Sequence, residues 1–314
     1  MLKISASPAT APDAHAPMTM RPMKRRPMRP PHRMSPVWLA AVALPGCALF
    51  HRGPQAGLDP LAGPLARADS QWAHRAEPAG MDAVTATLDS LRIVAPEDPR
   101  VLARLARLHW TLGELAEDRD NAVDQYETGR SYGYTCLLTY PAFASGVAAA
   151  RWRVGSAAVG GLEADAVPCL TWTAANGISL VVTRGAGAAL EIEQARPLAE
   201  RALTLAPEGE GGMVLWAAGM SALLDGDPAR VDDAEAQHEA ARTLLRRAME
   251  ISPTTLLFRA DMAAQFPDTR AELLPLPPSP DLDPAALENA RARQRARLLE
   301  GEPPPVTTPA PHLP

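Results

Sequence analysis

The stretch PRVLARLARLHWTLGE, residues 99–114, decides the fold. Its apolar residues Val101, Leu102, Leu105, Leu108 and Leu112 recur at the spacing of one helical face, while Arg104, Arg107 and Glu114 point away from it. Pro99 opens the segment, at a helical position where a missing N–H costs little. The pattern predicts an amphipathic helix. Similar spacing recurs from about residue 188 to 205 (Leu190, Ile192, Ala195, Leu198, Ala202, Leu205), where Pro207 ends it. It returns from about residue 232 to 251 (Leu244, Leu245, Ala248, Ile251), stopped by Pro253, and after Pro284 (Leu287, Ala290, Leu298, Leu299). Strict strand-like alternation is nearly absent, so the expected fold class is all-α.

Three helix ends look alike: LRIVAP at 91–96, ALTLAP at 202–207 and AMEISP at 248–253. Each resembles the close of the second helix in a tetratricopeptide hairpin. Their spacings fit no constant period of about 34 residues. The expectation is therefore a compact solenoid of irregular, tetratricopeptide-like helical hairpins over residues 66–300.

The N-terminal region reads differently. Lys24, Arg25, Arg26, Arg29 and Arg33 precede the apolar run VWLAAVAL at 37–44, which is the charge order of a signal peptide. Eight apolar residues fall far short of the roughly 20 that span a bilayer as a helix. Leu44, Gly46 and Cys47 resemble the lipobox of bacterial lipoproteins, with Cys47 as the lipidated first residue and Pro45 as a departure from the pattern. Residues 1–46 are thus expected to be a leader, with translation starting at Met23 or Met34. Residues 47–65 would form the lipidated cysteine and a flexible tether rich in Gly and Pro, and 301–314 a Pro-rich disordered tail. The membrane would be met through the lipid anchor only.

Downstream of residue 46 the chain carries 24 basic against 35 acidic side chains, a formal charge of −11. That balance argues against a nucleic-acid partner, which requires a basic footprint. Cys136 and Cys169 remain as an even pair in a compartment that permits disulfides. They are either bridged or two buried thiols, because spacing alone does not supply a Cα separation.

Catalytic spacings are nearly missing. The histidines are scattered with no i,i+4 metal-ligand pair, so neither a metal nor another cofactor is expected. The glycine-rich segments at 184–187 and 209–212 follow no strand and read as turns between helices. The acidic run at 225–235 lacks a calcium-loop pattern and reads as a solvated loop. His109 with Glu114, or Glu191 with Glu193, could be paired on paper, but carboxylates on adjacent helical turns are usually solvated, and no enzyme is expected.

Aromatic residues make up only 4% of the chain, yet Trp72, Trp110, Trp152, Trp172 and Trp216 fall one per helical segment. Most are expected to anchor the core. Trp172 with Asn176, one helical turn apart, and Trp216 are the candidates for a ligand groove, since such sites are mainly apolar with a few polar groups.

Several stretches together resemble the T component (TatT) family of tripartite ATP-independent periplasmic (TRAP) transporters. They are the lipobox at 44–47, CLTWTAANGISL at 169–180, EQARPLAERALTLAPEGEGGMVLWAAGMSAL at 193–223, HEAARTLLRRAMEISP at 238–253, and the closing ENARARQRARLLE at 288–300. The resemblance covers roughly residues 72–300. It implies a non-catalytic periplasmic lipoprotein of irregular hairpins, a homotrimer around a central pore, that docks a solute-binding protein and handles an apolar or organic-acid ligand. Ala48 after the lipidated cysteine favours the outer membrane over the inner one. The alternative is a tetratricopeptide-like scaffold lipoprotein that binds peptides during cell-envelope assembly.

Overall fold

The computed structural model describes residues 59–185, 189–224, 234–253, 255–277 and 285–301. The leader, Cys47, residues 47–58 of the expected tether, the acidic segment 225–233 and the tail beyond residue 301 lie outside the described residues. Among the described residues the regular structure is entirely helical. In chain order the helices are α1 (Ala62–Ala73), α2 (Gly80–Val94), α3 (Pro99–Leu115), α4 (Arg119–Leu138), α5 (Pro141–Ala149), α6 (Ser156–Val159), α7 (Val167–Arg184) and α8 (Ala189–Leu205). Then follow α9 (Met213–Leu224), α10 (Ala234–Ile251), α11 (Leu256–Gln265), α12 (Arg270–Leu273) and α13 (Ala286–Leu299). Neighbours in sequence pack on each other: α1 on α2, α3 on α4, α7 on α8 and α9 on α10.

Helix α7 is the centre. It packs against α3, α4, α8 and α9, and every residue from Cys169 to Leu180 is buried. A helix surrounded on all sides has nowhere to turn polar side chains, so those it carries must find partners within the protein. Nearly all do; the exception among the described residues of α7 is Asn176 Oδ1, which is buried without a hydrogen-bond partner. Thr171 and Thr173 donate to the carbonyls of Val167 and Cys169 four residues back. Asn176 Nδ2 donates to the carbonyls of Trp172 (2.7 Å) and Ala106 (3.0 Å). Ser179 Oγ accepts from Trp110 Nε1 at 3.1 Å.

The approach of α4 to α7 depends on two glycines. A Cβ at Gly129 would lie 2.2 Å from Asn176 Oδ1, and one at Gly133 would lie 2.3 Å from Thr173 Oγ1 and 3.0 Å from Thr173 Cα. Three residues further along α4, Cys136 is joined to Cys169 by a disulfide with a Cα–Cα distance of 5.8 Å. The contacts 129 with 176, 133 with 173 and 136 with 169 run in opposite directions along the two helices, which are therefore antiparallel and in one register. Closing this 33-residue separation stabilises the folded chain by about 3–4 kcal/mol in the chain-entropy account.

Helix α3 divides two cores instead of presenting one apolar face. Val101, Leu105 and Leu108 pack with Leu65, Val84, Leu88 and Leu91 from α1 and α2. Leu102, Ala103, Ala106 and Trp110 belong to the larger core around α7. Arg107 and Glu114 do point away from the Val101, Leu105 and Leu108 stripe, but the side they occupy is itself packed. They lie on the second buried side of the helix, and Glu114 is only 3% exposed. Arg104 does face outward, where it makes a two-pronged contact with Asp69.

Other expectations need adjustment. The folded part begins before residue 66, because α1 starts at Ala62 and buries Leu65 against α2. Pro64 is tolerated there in the first helical turn. Trp152 lies on no helix; it follows α5 in a left-handed turn (φ 65°) and is exposed. Leu190 and Leu298 are exposed too. Helix α13 buries Glu288, Asn289, Ala292 and Ala296, and not the leucines that its apolar content suggested. In the three similar helix ends the first residue is the buried one: Leu91, Ala202 and Ala248. The hydrophobic residues near the end of the first, Ile93 and Val94, are exposed.

The Asn176 amide cannot retreat from a methyl group at position 129, because its Nδ2 is held by two carbonyls. Gly129→Ala is therefore expected to cost about 2–3 kcal/mol, the range of core overpacking. Urea unfolding measures this. The cost should fall by at least half in an Asn176→Ala background, and an equal cost in both backgrounds would show that the contact is not its cause.

Candidate functional site

Trp110 stands at the centre of an aromatic cluster. Its ring centroid lies 5.6 Å from that of Trp172 and 6.0 Å from that of Trp216, tilted against the first and edge-on to the second, as aromatic pairs prefer. Two cavities open at this cluster. Trp72, Trp110 and Trp172 line one of about 260 Å³, and Trp216 lines the other, of about 300 Å³.

The second cavity is bordered by a closed network. Tyr126 Oη donates to Glu114 Oε1 (2.7 Å), and Arg295 donates to Glu114 Oε2 (2.6 Å) and Asp261 Oδ1 (3.0 Å). Trp216 Nε1 donates to Asp261 Oδ2 at 2.9 Å. All four carboxylate oxygens thus have a partner. Burial pushes the Asp261 carboxyl above its ordinary range; Glu114 adds to this and Arg295 opposes it. Burial and the neighbouring Glu114 likewise raise the Tyr126 hydroxyl well above its usual value. With every carboxylate oxygen engaged by a donor, the arrangement is suited to joining α3, α4, α9, α11 and α13.

The first cavity is not closed in this way. The Arg107 guanidinium sits 4.0 Å from the Trp72 ring centroid and 5.6 Å from that of Trp172, distances at which a cation is attracted to an indole face. Among the described residues it forms no hydrogen bond or ion pair. Burial lowers its pKa to about 10, opposed mainly by Glu210, so it is cationic at neutral pH. Arg75, on the same indole at 4.8 Å, is by contrast paired with Glu288 Oε1 at 2.9 Å. Glu210 accepts from Trp172 Nε1 at 2.8 Å.

Backbone strain contributes to this site. Glu210 and Gly211 are both left-handed (φ 51° and 60°) in the turn between α8 and α9. For a glutamate this costs on the order of 1 kcal/mol, and it sets the carboxylate at the indole edge. The segment 209–212 therefore lies between helices, as its glycine content suggests.

The structure separates the three residues expected in one groove. Trp172 lines the first cavity and Trp216 the second, with Trp110 between them. Asn176 lines neither and is spent on the α3, α4 and α7 contact. The two paper pairings also come apart: His109 bonds Gln125 and stacks on Tyr132, Glu191 pairs with Arg184, and Glu193 is exposed. Among the described residues no three His, Cys, Asp or Glu side chains gather as a metal site would require. Sequence reasoning missed Trp72, Arg107 and Glu210 in one cavity, and Glu114, Asp261 and Arg295 in the other. One signal existed: Arg107, Trp110 and Glu114 recur at i, i+3 and i+7, a second stripe on α3.

Glu114→Ala is expected to destabilise the protein by about 3 kcal/mol, the low end for breaking a buried pair, because the outer edge of Arg295 reaches water (33% exposed). A loss under about 1 kcal/mol in denaturant unfolding would instead place Glu114 among hydrated ion pairs. No protein-family model matches the chain, and no curated protein matches it.

Proposed function

We propose that the chain is a non-catalytic, lipid-anchored protein of the periplasmic face of the cell envelope, similar in role to the T component of a TRAP transporter. It binds an organic acid in the cavity between Trp72 and Trp172 and docks a solute-binding protein. The observation that carries the ligand class is Arg107, a guanidinium on two indole faces with no ion-pair or hydrogen-bond partner among the described residues. Such a group suits a carboxylate, which it can hold through two parallel hydrogen bonds, while the tryptophans take an apolar body.

The hairpin order α1/α2, α3/α4, α7/α8 and α9/α10 supports the irregular tetratricopeptide-like solenoid, as does the buried first position shared by the three similar helix ends. A non-catalytic role is favoured by Glu114 and Asp261, whose oxygens are all engaged. The homotrimer, the outer-membrane location and the docking partner rest on the resemblance of 169–180, 193–223 and 288–300 to that family.

Two measurements test this reading. With 3-phenylpropanoate at 100 times its Kd, the bound state gains about 2.7 kcal/mol, which raises the melting temperature by roughly 5–10 °C for a domain of this size. Arg107→Ala should abolish the shift while melting as a folded protein; an unchanged shift removes the acid from this cavity. The anchor is checked by the mass of the N-terminal peptide from membrane-extracted protein. An acylated Cys47, absent in Cys47→Ala, is expected, and an unmodified N-terminus upstream of Cys47 overturns the envelope location.

A further inference from the structure

Two buried polar atoms without partners border the same cavity, and they are of opposite kind. Trp72 Nε1 is a donor lacking an acceptor, and Glu288 Oε2 an acceptor lacking a donor. Buried polar groups in folded proteins are paired in the large majority, and leaving one unmade is costly. Here the pair adjoins Arg107, which has no ion-pair partner among the described residues, and Glu210, which a left-handed backbone holds at the rim. Glu288 is 5% exposed and Arg75 8%, so the site is built from interior groups.

A plain carboxylate would answer Arg107 and Trp72 but would leave Glu288 Oε2 bare and face the charges of Glu210 and Glu288. A plain amine would answer the glutamates and be repelled by Arg107 and Arg75. The lining carries two arginines and two glutamates, so a ligand of zero net charge enters without burying an uncompensated one.

We propose that this cavity binds a small zwitterion, a molecule with a carboxylate and an ammonium group a few bonds apart on an apolar body. The carboxylate lies on Arg107 and Trp72 Nε1, and the ammonium group on Glu288 Oε2 and Glu210. The body rests on the indoles of Trp72 and Trp172, with Met213, Leu257 and Phe258 on the remaining walls. A volume of about 260 Å³ accommodates a molecule of amino-acid size. This rests on the acid-binding reading above and narrows its ligand class.

Three probes with one phenyl body separate the two ideas: L-phenylalanine, 3-phenylpropanoate without the amine, and 2-phenylethylamine without the acid. Each is titrated into the full chain by calorimetry, with tryptophan emission as a second readout. Phenylalanine is expected to bind at least tenfold more tightly than either partial analogue. Arg107→Leu should remove its advantage over 2-phenylethylamine, and Glu210→Gln, which keeps an acceptor for Trp172 Nε1, should narrow its advantage over 3-phenylpropanoate. Glu288 is left intact because it holds Arg75. Binding of 3-phenylpropanoate as tight as that of phenylalanine overturns the zwitterion and leaves the organic-acid reading standing. Binding of 2-phenylethylamine alone, or of no probe by a chain with native circular dichroism, overturns both.

Discussion

The close approach of α4 to α7 across Gly129 and Gly133 is the constraint on which the rest depends. Any side chain at those positions would meet Asn176 or Thr173 at distances no Cβ occupies. Because the register is held at three points, the last being the Cys136–Cys169 bond, α7 cannot rotate about its axis. Its rotation in turn aims Trp172 at one cavity and Ser179 at Trp110. A polar helix buried on every side is costly unless each donor and acceptor is met. Here the donors are met largely by carbonyls one turn back, while Asn176 Oδ1 goes without a partner.

The two cavities share an aromatic wall and differ in electrostatics. Around Trp216 the charges are mutually satisfied, and α13 supplies the guanidinium that completes the network. The same helix also closes the fold elsewhere. Asn289 Oδ1 accepts from the first backbone N–H of α11, at Leu256 (2.8 Å), and Arg291 donates to the carbonyl of Ala116 just after α3. Around Trp72, among the described residues, the account is open: a guanidinium outside any ion pair, a donor and an acceptor without partners, and a glutamate in a strained turn. Satisfied buried networks rigidify a fold, and strain with unmet hydrogen bonds gathers at binding sites. This difference, more than either cavity's size, distinguishes the two cavities.

Much of the architecture was legible. Helical periodicity located α3, α8, α10 and α13 to within a few residues, since 3.6-residue spacing is a local property. Trp172 and Trp216 were singled out with Asn176 for a ligand groove, and the two tryptophans line different cavities. Arg107 and Glu114 were not, because in one dimension a charge opposite an apolar stripe looks solvated. On α3 that opposite side is a second interface, and only the packing of α7, α13 and Trp72 against it removes the water.

What the sequence by itself determined is the all-helical class and the approximate bounds of α3, α8, α10 and α13, which follow from periodicity and from prolines that cannot continue a helix. The tertiary structure alone decided the rest: which face of α3 counts as outside, which cysteine and glycine on α4 meet α7, and which arginine at the Trp72 cavity stays outside any ion pair among the described residues. These are relations between residues distant in the chain. Burial and electrostatic pairing depend on what lies within a few ångströms in space, and that distance is not written in the spacing of letters.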